Sequence, residues 1–162
     1  MAKIDFLSLL RTLDRHRVDY LVVGGMAGVL HGAPITTFDL DLVHSRREDN
    51  VARLLAALKE LDACYRIQPE RRLRPSASHL ASAGHQLLTT RFGPLDLLGE
   101  IGAGYTYENL LPGSVAVQVG EGLSVRVLNL ETLITIKEQL GEDKDRAVIP
   151  VLRRTLEEKR RR

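Results

Sequence analysis

The chain has 162 residues, 44% hydrophobic and 27% charged, which fits one globular domain and excludes a disordered chain. Cys64 is the only cysteine, so an intramolecular disulfide scaffold is excluded and a reducing compartment is expected. The net charge of +2 does not by itself call for a nucleic-acid partner.

No apolar run approaches the roughly 18–20 residues of a membrane span. The opening stretch MAKIDFLSLLRTLDRHR carries charges through its apolar positions, unlike a signal peptide. These features predict a cytoplasmic protein with no membrane partner. Arg66, Arg71, Arg72 and Arg74 cluster in mid-chain, and Lys159-Arg160-Arg161-Arg162 form a second basic run. Such runs are either solvated surface or contacts for a phosphate-rich partner.

In chain order, Phe6, Leu9, Leu10 and Leu13 follow helical spacing. Asp19 to Val23 reads as a strand, stopped by a tight turn at Gly24-Gly25. Met26 to His31 reads as a short helix ended by Gly32 and Pro34. Thr37 to Val43 alternates polar and apolar residues as a strand does. Ser45 and Glu48 match a capping box, ahead of a helix carrying Val51, Leu54, Leu55, Leu58 and Leu61 on one face. A strand is expected over 63–68 and a loop over 69–83. Apolar stretches at 85–91 and 94–98, around Gly93-Pro94, predict a hairpin, and a short helix follows near 105–110. A second hairpin joins Val115–Val119 to Leu123–Leu128. Asn129 caps a helix broken by Gly141, and a last helix follows with a kink or restart at Pro150. The pattern predicts an α/β (α+β) fold, a mixed β-sheet with helices packed on it. One domain spans 1–162, with a core over about 18–128 and a C-terminal helical part over about 129–160.

The chemistry concentrates in YLVVGGMAGVLHGAPITTFDLDLV, Tyr20 to Val43. On a strand, Asp39 and Asp41 point to one face, with Cα atoms about 6.5 Å apart from two rises of roughly 3.3 Å. Leu40 and Leu42 then face the core. Two unpaired carboxylates repel each other, and partial burial sharpens the conflict. A divalent cation resolves it, and hard oxygen ligands suit Mg²⁺. The structural alternative is a solvated strand end beside Arg or Lys. Gly24 and Gly25 let a backbone approach phosphate closely. Asp96, alone among Leu95, Leu97 and Leu98, can supply a third carboxylate from a neighbouring strand. Lys137 and the pair Lys144-Asp145 lie on C-terminal helices. The histidines His16, His31, His44, His79 and His85 lack metal-ligand spacing, so no zinc site is expected.

Strand-Gly-Gly-helix, then T-x-D-x-D (Thr37, Asp39, Asp41), then a later strand aspartate (Asp96) resembles the nucleotidyltransferase superfamily with the DNA polymerase beta-like core. The nearest likeness is to small bacterial members, including the AbiEii/MenT toxin-type branch. Further matches are Gly24-Gly25-Met26-Ala27, His31-Gly32, LETLITIK from Leu130 to Lys137, and Lys144-Asp145. The likeness runs from about Tyr20 to Leu156.

The resemblance implies transfer of an NMP from an NTP to a hydroxyl-bearing acceptor, with pyrophosphate release. RNA such as tRNA, a protein or a small molecule would serve as acceptor, and a toxin-type member would have an antitoxin partner. Asp39, Asp41 and Asp96 would hold two Mg²⁺ ions, or Mn²⁺, and Asp96 would take the proton of the attacking hydroxyl. Gly24, Gly25, Thr37 and Lys137 would bind the nucleotide. One position departs: relatives carry Arg two residues before the T-x-D-x-D threonine, and here it is Ile35. Ile35 favours the alternative, a non-catalytic nucleotide-binding or protein-interaction module. Phosphate-ester hydrolysis is a second enzymatic alternative.

Overall fold

The computed structural model describes residues 4–162. Helix α1 (Phe6–Arg15) is capped by Asp5, whose side chain accepts from the Ser8 N–H, and it buries Leu9, Leu10 and Leu13. Strand β1 (Tyr20–Val23) is buried at every position and passes directly into α2 (Gly24–Leu30). The expected tight turn is absent. Gly24, at φ +64, makes the change from strand to helix alone, and Gly25 is already helical.

Strand β2 (Leu40–His44) is shorter than the sequence pattern predicts. Asp39 stands one residue ahead of it, not on it. Thr37 Oγ1 donates to the Asp39 carbonyl at 3.1 Å, a local bond that competes with the sheet ladder. Helix α3 (Glu48–Glu60) starts after Arg47 without a side-chain cap. The Ser45–Glu48 box does not form, because Ser45 Oγ accepts from the Arg47 N–H instead.

Strand β3 (Cys64–Tyr65) is two residues long. The stretch expected as a loop holds a 3-10 turn at Pro69–Arg71 and helix α4 (Ala77–Ala81). A capping box closes α4, with His79 in the place usually taken by Glu or Gln. Strands β4 (His85–Thr90) and β5 (Gly93–Leu98) form the first hairpin. Its turn is Arg91-Phe92, so Gly93 and Pro94 belong to β5. After α5 (Tyr107–Leu110), β6 (Ser114–Gly120) and β7 (Leu123–Leu128) form the second. Asn129 caps α6 (Leu130–Leu140), and Gly141 ends it at φ +63. Helix α7 (Asp143–Arg160) continues through Pro150 without a restart.

The strands form one mixed sheet in the order β3-β4-β5-β2-β1-β7-β6. β2 runs parallel to β5 and β1 parallel to β7, while the other neighbours are antiparallel. The parallel β2–β5 pairing needs a crossover, which α3, β3, α4 and β4 supply. Leu40, Leu42, Leu88, Leu95 and Leu97 are fully buried in a hydrophobic cluster that runs from Leu9 to Leu152. Each such leucine contributes roughly 1.5–3 kcal/mol by leaving water. Among the described residues no helix is long and apolar enough to cross a membrane.

Candidate active site

The sheet register assembles the site. It sets Val23 beside Asp41, Asp41 beside Asp96, and Asp96 beside Leu87. Directly paired residues on neighbouring strands point to the same face. Arg66 extends this rung past the end of β3, since its N–H donates to the Leu87 carbonyl at 3.0 Å. The two aspartates therefore lie side by side on the face opposite the leucines.

They open into a cleft of about 560 Å³, whose lining includes Gly24, Gly25, Asp41, Asp96, Lys137 and Asp145. Leu98, Ile101, Leu133, Ile136, Leu140 and Val148 give the cleft an apolar wall. Asp41 Oδ1 and Asp96 Oδ1 are both buried without a hydrogen bond. Arg66 Nη2 lies 2.7 Å from Asp96 Oδ1, an ion pair by distance in which no N–H is aligned on the oxygen. Burial pushes the Asp41 carboxyl up to about 7, the negative charge of Asp96 adds to the rise, and Lys137 opposes it.

Gly24 is required by contact as well as by conformation. A Cβ there would sit 2.3 Å from Asp41 Oδ2. A Cβ on Gly25 would come within 3.1 Å of Thr37 Oγ1. Thr37 thus braces the 37–39 bend against α2 and does not line the cleft. Asp39 is half-buried beside Asp41, and its charge helps to raise the Asp41 pKa. Among the described residues, no three His, Cys, Asp or Glu side chains converge as a metal cluster. The close pair is Asp41 with Asp96, and Asp39 flanks it.

Lys137 Nζ donates to Asp145 Oδ1 at 3.0 Å, which ties α6 to α7 at the cleft edge. Asp145 Oδ2 is buried and unpartnered. Ile35 does not line the cleft. Its Cδ1 lies 3.0 Å from where a Gly28 Cβ would stand, in the contact between α2 and Leu152 of α7. Of the mid-chain arginines, only Arg66 reaches the carboxylates. Arg72 and Arg74 pair with Asp62, and Arg71 bonds Gln68. Arg46 lies 3.9 Å from Glu100, and Arg91 lies in a separate hollow beside α1.

His31 ends α2 and braces it. Its Nε2–H donates to the Leu128 carbonyl at 2.9 Å, and Nδ1 accepts from Lys159 Nζ at 2.9 Å. Burial pushes its pKa down, which fits this neutral form. His44, also buried, meets the Leu80 carbonyl through Nε2 at 2.7 Å. Sequence reasoning missed the reach of Arg66 and the bond between Lys137 and Asp145. The only signal for Arg66 was its place in the basic cluster, and pairing register is what singles it out.

No protein-family model matches the sequence, and no curated protein matches it. Solved structures do. A Thermotoga maritima protein with a provisional nucleotidyltransferase assignment superposes with a TM-score of 0.59 at 17% identity. The match covers 94% of this chain and 91% of that one. The lincosamide antibiotic adenylyltransferase LnuA, solved with lincomycin bound, gives a TM-score of 0.60 at 12% identity, over 93% and 98% of the two chains. This chain has the nucleotidyltransferase fold.

Proposed function

From that fold, we propose that the protein is a metal-dependent nucleotidyltransferase. It moves an NMP from an NTP to an acceptor hydroxyl. The new bond joins the acceptor oxygen to the α-phosphorus, the bond to the bridging oxygen breaks, and pyrophosphate leaves. The observation that carries this reading is the Asp41–Asp96 pair. Both residues line one cleft together with Gly24, Gly25 and Lys137, and each keeps one buried carboxylate oxygen without a hydrogen bond.

The donors fit Mg²⁺ or Mn²⁺. They are hard oxygens and adjacent, and such ions take one or two protein carboxylates with water and substrate phosphate completing the shell. When bound, a pair of such ions supplies charge stabilisation to both the attacking and the leaving oxygens. Asp41 and Asp96 hold that charge in place, and Asp39 adds its carboxylate from the flank. Asp96 accepts the proton of the attacking hydroxyl. Gly24 and Gly25 offer backbone N–H groups to the triphosphate, with Thr37 bracing them. Lys137, fixed by Asp145, offers its ammonium to the phosphates.

The apolar wall favours a compact acceptor with apolar faces over a polyanion. The engagement of Arg71, Arg72 and Arg74 away from the cleft supports this, as does the lincosamide named for LnuA. Ile35 packs between α2 and α7 and does not line the cleft, which supports the catalytic reading over a non-catalytic module.

Calorimetric titration of each NTP with Mg²⁺, into wild type and Asp41→Asn/Asp96→Asn, tests the reading. Metal-dependent binding lost in the double variant is the expected result. Folded wild type that binds no NTP would overturn it.

A further inference from the structure

We propose that Arg66 is a counter-cation that guards Asp96. Its guanidinium neutralises the carboxylate while the site holds no metal, and it must leave Asp96 Oδ1 before that oxygen can bind a divalent ion. This inference rests on the nucleotidyltransferase reading above.

The sheet register fixes the arrangement. Arg66 follows β3 at the sheet edge, and its N–H bonds Leu87, the residue paired with Asp96. The side chain therefore crosses β4 along the rung to reach β5. Two contacts hold it there. Nη1 donates to the Leu88 carbonyl at 2.8 Å, and Nη2 stands 2.7 Å from Asp96 Oδ1.

Three features make this a displaceable partner and not a permanent lock. The contact to Asp96 lacks hydrogen-bond alignment, so leaving it sacrifices charge attraction but no directed bond. The Arg66 side chain is 29% exposed against 13% for Asp96, so the guanidinium has a route to water. A divalent ion on Asp96 Oδ1 would share that oxygen with the guanidinium, and two cations on one oxygen repel each other. The neighbouring arginines cannot replace it, because Arg72 and Arg74 are engaged with Asp62.

Removing Arg66 should thus strengthen metal binding, whereas a residue that only supports the fold would weaken it or leave it unchanged. The test is titration of Mn²⁺, followed by electron paramagnetic resonance, into wild type, Arg66→Gln and Asp41→Asn/Asp96→Asn. Wild type should bind more tightly than the double variant, and Arg66→Gln should bind about fivefold more tightly than wild type, the size expected for losing one partly exposed ion pair. Equal or weaker binding by Arg66→Gln, with wild type still binding, overturns the role of Arg66 and leaves the transferase reading standing. No site-specific binding by either protein overturns both. A second measurement needs only a folded wild type. The Nε–Hε nuclear magnetic resonance signal of Arg66 should shift as Mg²⁺ saturates the site. A signal that stays fixed while Mg²⁺ binds overturns the proposal.

Discussion

The central strands β2 and β5 present two contrasting faces. On one, Leu40, Leu42, Leu95 and Leu97 are fully buried. On the other, Asp41 and Asp96 stand next to each other with one buried oxygen apiece lacking a hydrogen bond. The residues alternate one by one, so both faces share the same backbone and the same ladder. The leucine face holds the ladder together by burial. The aspartate face works against it by desolvation and repulsion. A pair of like charges persists on a core strand when the opposite face supplies enough stability to hold it.

Substitutions on the two faces should therefore move activity and stability in different ways. Asp41→Asn should lower kcat/KM for nucleotide transfer by about 10³-fold, the loss of an electrostatic contact to developing charge. The same variant should melt no lower than wild type, since it removes a repelling charge. A melting temperature that falls with the activity would contradict this account of the aspartate face. Leu97→Ala should do the reverse. It should cost roughly 2–5 kcal/mol in urea unfolding while the folded fraction keeps its nucleotide affinity.

Gly24→Ala should disturb both faces, because a Cβ meets Asp41 Oδ2 and φ is positive. A loss of about 1–2 kcal/mol from the left-handed backbone should accompany loss of NTP binding, seen in one thermal-shift series.

The pH dependence is smaller and has a definite sign. The folded Asp41 pKa is raised from 3.8 to about 7. Between those values the folded state binds more protons than the unfolded state, so stability falls as pH rises from about 4 to about 7. Asp41→Asn should flatten that part of the profile, and an unchanged slope would place the proton elsewhere. The smallest effect is expected at the surface. Arg72→Ala/Arg74→Ala should leave the melting temperature and NTP affinity unchanged, since both arginines face Asp62 and solvent.

Local patterns made much of the fold legible. The second hairpin, the Asn129 cap and the Gly141 stop each follow from a few neighbouring residues and form where expected, and the first hairpin forms with its turn two residues early, at Arg91-Phe92. Expectations failed where a nearby polar group changed the outcome. The Thr37 hydroxyl bends the chain before β2 and leaves Asp39 off the strand, and Ser45 bonds Arg47 where a capping box with Glu48 was expected. At the site, Asp41, Asp96 and the two glycines could be found from motif spacing. The Arg66–Asp96 and Lys137–Asp145 partnerships could not, because they depend on which strand lies next to which and on how α6 meets α7.

The parallel pairing of β2 with β5 has a consequence for how the protein matures. Asp41 and Asp96 become neighbours only after the intervening helices and the β4–β5 hairpin have closed a long loop, a slow, entropically costly step. Before that closure the Asp41–Asp96 pair does not exist, so any hold on a cation that depends on it is absent as well. A divalent ion that favours the finished pair draws the population toward the closed topology as its concentration rises. If the pair holds a divalent ion as proposed, ion capture would mark the end of folding, and its rate in a stopped-flow refolding experiment would time the crossover itself.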